Sequence, residues 1–217
     1  VNGNFAFEKS SRTISVTNGT TSENVAVDLL TMGASNVNAF AGVNGPYIND
    51  NGTPSIFTDD STNPDALGLS LSNVNFALAM MKPVSASQPG ATDQRSWTSL
   101  KATVGSASFG GISDLTVTVN SLSVEINKGG GTKSGAANTT VADFSRTALR
   151  VTTGAETFMD LDFKGSYGAL LRAAGVITLS IGDFTVSGGF AIEKTESTRQ
   201  NGLQTIKTSK LLLGAAG

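Results

Sequence analysis

Strict alternation of apolar and small polar residues constrains this chain more than any other feature. It is seen in LGLSLS at 67–72, LTVTV at 115–119, ITLSI at 177–181 and FTVSGGFAIEK at 184–194. A period of two, carried by Val, Ile, Phe and Thr, specifies strands that bury one face. The polar member is usually Ser, Thr or Asn, so the second face is neutral and able to hydrogen-bond. Helical periodicity is weak. Its best instance is FALAMMK at 76–82, which Pro83 would stop, and GALLRAAG at 168–175 is a second short ambiguity. An all-β fold is expected.

The alternation has a grammar. LTMGASNVNA at 30–39 aligns with LGLSLSNVNF at 67–76, with Ser-Asn-Val-Asn in register and Leu30 and Met32 matching Leu67 and Leu69. LTVTVNSLSV at 115–124 and ITLSIGDFTV at 177–186 share the outline: three alternating apolar residues, a polar pair, then two more apolar residues. The step across the polar pair is odd. A flat strand would therefore turn its second half to the other face, so a bulge or corner is expected there. Asn73, Asn120 and Gly182 at these pairs tolerate the backbone angles of a bend.

A longer repeat encloses these units. VNGNFAFEKS at 1–10 returns as VSGGFAIEKT at 186–195, six identities in ten at an offset of 185. LLLGAA at 211–216 resembles the start at 30, offset by 181, so about four residues have been lost between. The chain divides into 1–10, the end of a preceding repeat; 11–195, one full repeat; and 196–217, the start of the next. With Val1 in first place, it reads as a piece cut from a tandem array. No Pro- or Gly-rich linker interrupts the repeated phrase, and variable segments lie inside the repeat at 44–66, 85–94 and 127–140. An elongated β-solenoid or stacked β-sheet array is expected. Tandem β-sandwich domains are the alternative.

Composition narrows function. The 15 basic and 17 acidic residues leave a net charge of −2 without a basic run, which argues against nucleic acid. Cysteine and histidine are absent, removing disulfides, thiol nucleophiles, imidazole bases and Cys/His zinc sites. No apolar run is long enough for a membrane helix, and the few Trp and Tyr residues argue against a transmembrane barrel.

Candidate sites are few. The acidic segment 44–66 holds Asp50, Asp59, Asp60 and Asp65 beside several Asn, hard oxygen ligands suited to calcium. The fragment Asn49-Asp50-Asn51-Gly52 echoes a calcium-loop turn, but Tyr47 stands where the first Asp should be. Glu156, Asp160 and Asp162 could supply a carboxylate pair, although alternation along FMDLDF favours a polar strand face. Trp97, Tyr47 and Tyr167 could stack on sugar, and KGGGTKSG at 128–135 lacks the spacing of a phosphate loop and reads as a hairpin tip. Glu8-Lys9 and Glu193-Lys194 recur at equivalent places and read as edge charges that discourage wrong pairing. No catalytic residue and no cofactor other than a structural calcium is expected.

GLSLSNVNFALAMMKP at 68–83, SWTSLKATVGSASFGGISDLTVTVNSLSVEINK at 96–128 and VITLSIGDFTVSGGFAIEK at 176–194 resemble the tandem repeats of very large bacterial extracellular proteins, adhesin-like or matrix-forming. That resemblance implies a secreted or surface location and a structural or adhesive role, here a fibre, biofilm matrix or adhesin stalk built through self-association with neighbouring repeats; no enzymatic activity is expected, because the absence of His and Cys leaves only carboxylate chemistry. A calcium- or glycan-binding adhesion module is the alternative, with a glycan or cell-surface ligand as partner.

Overall fold

A computed structural model describes residues 1–49, 51–53, 61–112, 115–201 and 204–217. The chain is all-β, with two single 3₁₀ turns at Val84–Ser87 and Gly165–Tyr167 among the described residues. The strands are β1 (Asn2–Thr17), β2 (Ser22–Val43), β3 (Ile48–Asn49), β4 (Ser61–Thr62), β5 (Leu67–Pro83), β6 (Ser96–Ile112), β7 (Leu115–Gly130), β8 (Thr132–Lys133), β9 (Ala136–Ala137), β10 (Val141–Ala142), β11 (Leu149–Gly154), β12 (Thr157–Leu161), β13 (Ala169–Ile181), β14 (Phe184–Asn201) and β15 (Gln204–Ala216).

One nine-stranded antiparallel sheet, in the order β10, β1, β2, β5, β6, β7, β13, β14, β15, organises the molecule. Its long strands follow one another as a meander. Both short helical candidates are strands: 76–82 lies in β5 and 168–175 enters β13. Burial follows period two there, with Ala77, Ala79 and Met81 buried and Phe76, Leu78 and Met80 on the opposite face. Pairing on both sides of β5 outweighs the helical preference of Ala, Leu and Met.

The odd step resolves as a seam of bends. Asn36, Asn73 and Ser121 have φ of 52°, left-handed backbone inside long strands. Between the pairs Ser72↔Ser106 and Val74↔Val104, Asn73 lies opposite Gly105, and Gly105 in turn lies opposite Ser121. β2, β5, β6 and β7 thus each carry one extra residue on a common line. Their outer neighbours do not: Asn4 and Asn2 of β1 face Ser35 and Asn38, and Ala174 and Val176 of β13 face Ser123 and Asn120. The extra residue restores the apolar phase.

The repeated Ser-Asn-Val-Asn makes a reciprocal clasp at this seam. The Asn36 N–H donates to Asn75 Oδ1 at 2.9 Å, and the Asn73 N–H donates to Asn38 Oδ1 at 3.0 Å. Each asparagine side chain satisfies the backbone donor that the other strand's bulge releases.

Consequently the apolar rows of one face continue on that face across the seam. Above the seam, the row Phe5, Ala34, Phe76, Ala102, Val124, Ala173, Ile192, Leu213 crosses eight strands. Below it run Ala41, Leu69, Phe109, Val117, Leu179, Val186. The other face below the seam is a ladder of Ser70, Ser108, Thr118, Thr178 and Ser187, with 3.0 Å between the Thr178 and Ser187 hydroxyls.

Above the seam, that second face is covered by the segment between β7 and β13. β10 pairs with the end of β1, and the β11–β12 hairpin lies over the sheet. The core joins Ile14, Val16, Val25, Val27, Leu29, Met81, Trp97 and Leu170 of the sheet to Ala142, Phe144, Leu149, Val151, Leu161 and Phe163 of the cover. Each large side chain buried here contributes about 1.5–3 kcal/mol. Gly33 is required by the cover, because a Cβ there would stand 2.0 Å from the Thr152 carbonyl oxygen. The segments 84–95 and 131–168 leave one end of the strands, and 44–66 leaves the other.

Left-handed backbone at Asn73 yields a direct test. Asn73→Val should lower unfolding free energy by about 1–2 kcal/mol, and Asn73→Gly should change it by less than about 0.5 kcal/mol, in urea denaturation.

Candidate functional site

The most concentrated polar chemistry lies where β6 begins, and sequence reading missed it. Asp93, Arg95 and Trp97 alternate, so all three point to the covered side of the sheet. Arg95 is 4% exposed. Its guanidinium donates to Asp93 through Nε and Nη2, both at 2.8 Å, and through Nη1 to Glu23. It also lies 5.1 Å from the centroid of the Trp97 ring. Lys133 adds a cation 3.3 Å from Glu23. The Trp97 indole N–H donates to Thr140 Oγ1 at 3.0 Å. Hydrogen bonds from Arg95 hold the Asp93 and Glu23 carboxyls below their ordinary values of 3.8 and 4.5, while Asp93 foremost raises the guanidinium.

A second buried pair fastens the cover. Ser99 Oγ donates to Asn127 Oδ1 at 2.9 Å, and Asn127 Nδ2 donates to the Ala142 carbonyl at 2.9 Å. Ser99 and Asn127 are almost fully buried, and their mutual bonds satisfy them. In both places every charge and amide has a partner within the fold, which is the arrangement of an anchor.

The residues singled out from sequence do not converge. Asp50, Asp59 and Asp60 of the proposed calcium loop lie outside the described residues. Asp65 sits in a turn where its N–H donates to Asn63 Oδ1 at 3.0 Å and its carbonyl accepts from Asn44 Nδ2 at 3.2 Å. Among the described residues, no three acidic side chains group as a metal site. Asp160 accepts two bonds from Arg150, at 3.0 and 3.1 Å, and Asp162 accepts one from Lys101 at 2.9 Å. Glu156, with φ 60°, forms the tip between β11 and β12.

The aromatic trio is likewise dispersed. Trp97 is 1% exposed in the core, Tyr47 stacks on Phe40 with centroids 6.2 Å apart, and Tyr167 is exposed. KGGGTKSG does end in a hairpin, with Thr132 opposite Ala137 and Lys133 opposite Ala136. Glu193 departs from the edge-charge reading. Arg172 of β13 bridges it at 2.6 Å to Glu125 of β7, also 2.6 Å away, inside the sheet.

The join between β13 and β14 is the site of most consequence. Phe190, Ala191 and Ile192 of β14 face Ala215, Gly214 and Leu213 of β15. Phe5, Ala6 and Phe7 of β1 face Ala34, Gly33 and Met32 of β2. The repeated sequence therefore folds into the same hairpin in the same register. Offsets of 185 and 181 place the four missing residues between Val16 and Glu23. Here the hairpin is seated on β13 by thirteen aligned pairs, from Ala169↔Glu196 to Ile181↔Phe184. Neither protein-family models, nor curated proteins, nor solved structures match this chain.

Arg95→Met leaves Asp93 poorly compensated and should cost about 2–4 kcal/mol in chemical denaturation. Because the Asp93 and Glu23 carboxyls titrate lower when folded than unfolded, their contribution is full above their ordinary range and is lost as pH falls through the folded values. Thermal melts of the native chain should therefore show stability declining below about pH 4.5, and Arg95→Met should flatten that decline.

Proposed function

We propose that this chain is a structural repeat whose sheet continues from one copy to the next by edge pairing. The observation that carries the reading is the seating of β14–β15, the second occurrence of β1–β2, on β13. β1, β2, β5, β6, β7 and β13 then make six long strands per repeat, and the next copy's first strand follows directly.

Two details support it. Glu193 corresponds to Glu8, which among the described residues has no ion-pair partner, so the Arg172 of a preceding copy has a counterpart waiting on β1. Gly33, the seat of β11, recurs as Gly214, where Ala191 supplies every atom within 4 Å; the place for the next copy's cover is already open. Of the two expected array forms, this favours a stacked sheet over the coils of a solenoid. The role follows as a secreted or surface fibre, matrix or adhesin stalk, and the charge-poor Ser, Thr and Asn face suits a wet exterior.

Electron microscopy of a polypeptide carrying several tandem 185-residue copies tests the reading. A continuous ribbon growing by about 28 Å per copy, six strand spacings, is the expected result. Separate globules joined by flexible chain would overturn it.

A further inference from the structure

Among the described residues, no second layer covers the sheet's apolar face. Phe7 is 67% exposed, Leu171 45%, Leu69 42% and Ile181 54%, on strands whose opposite residues are paired or covered. Eight long strands at about 4.8 Å spacing, each spanning about 45 Å, give a face of roughly 1,500 Å². The largest apolar patch on an ordinary monomer is about 300–600 Å². A stable interface needs about 800 Å² from each partner.

Its charge and relief narrow the occupant. Asp28, Lys82 and Lys128 border the face at one end, and Lys194 within it is neutralised by Glu196 at 2.7 Å. An apolar centre with charges at the rim is the anatomy of a protein interface. The row Phe5, Ala34, Phe76, Ala102 alternates large with small across neighbouring strands. Such fixed knobs and hollows suit the interdigitated side chains of a second sheet about 10 Å away. Fluid acyl chains have no use for that relief. A two-fold axis lets one face serve as both partners.

We propose that this face is closed by the same face of a second copy of the chain, forming a two-sheet sandwich. The pairing is through side chains and is independent of the edge-to-edge array, which is made by backbone bonds.

Analytical ultracentrifugation of the complete chain at micromolar concentration, without detergent, reads the association. A dimer is expected, and Leu69→Glu and Leu171→Glu, on opposite sides of the seam, should each render it monomeric with an unchanged circular dichroism spectrum. Both positions are open in the single chain, so the substitutions spare its own core; if one variant loses strand signal, the other carries the test. A wild-type monomer would overturn the proposal. So would association that survives both substitutions, which would mark edge pairing and leave the array reading intact. Flotation of the monomer with phosphatidylcholine vesicles, abolished by Leu69→Glu, would overturn it in favour of lipid.

Discussion

Every later feature depends on keeping one extra residue in each of four neighbouring strands at the same height. Side chains change face with every residue, so an apolar pattern with an odd step is inconsistent with a flat strand. Asn36, Asn73 and Ser121 absorb the step with left-handed backbone, and β6 absorbs it at Gly105. A bulge in one strand alone would put it out of phase with its neighbours; aligned, the four preserve a common register. The reciprocal Asn38 and Asn75 bonds then return hydrogen-bond partners to donors that the bends remove from the ladder.

Much of this was legible from the alternation and the odd step, which located the bends in β2, β5 and β7, although in β7 the positive φ falls on Ser121 and not on the neighbouring Asn120 that was expected to take it. The unit at 177 differs: Gly182, with φ 56°, lies between Ile181 and Phe184, which pair with each other, so its polar residues form a hairpin turn. Bulge and two-residue turn both demand a residue at ease with positive φ, and the outline alone does not separate them. LKATVGSASF at 100–109 follows the same outline in β6 and went unread because Gly105-Ser106 lacks the asparagine that marked the others.

The cover was less legible. Segment 131–168 looks like a loop followed by ordinary strands, and its path across to β1 depends on tertiary choice of face. Val141, Ala142 and Phe144 carry too short a pattern to announce burial. Arg95 had a signal, the alternation Asp93, Arg95, Trp97, but an arginine flanked by loop residues ordinarily reads as solvated. The proposed calcium, carboxylate and sugar residues were grouped by residue type along the chain, whereas the fold keeps Tyr47 and Asp65 in the connection at one end of the strands, Asp160, Asp162 and Tyr167 in the covering segment at the other, and pairs Asp160 and Asp162 with Arg150 and Lys101.

β14 runs in the direction of β1, because the step from one to the other is six long strands, an even number. An odd number would invert alternate copies and send equivalent connections to opposite margins. With the even number, an array of the proposed kind would have a polarity and two chemically unlike margins: one would carry every copy of the covering segment and the Arg95 anchor, the other every copy of 44–66. Sequence drift in 44–66 would then diversify one margin of such a ribbon at regular intervals while leaving the sheet beneath it untouched.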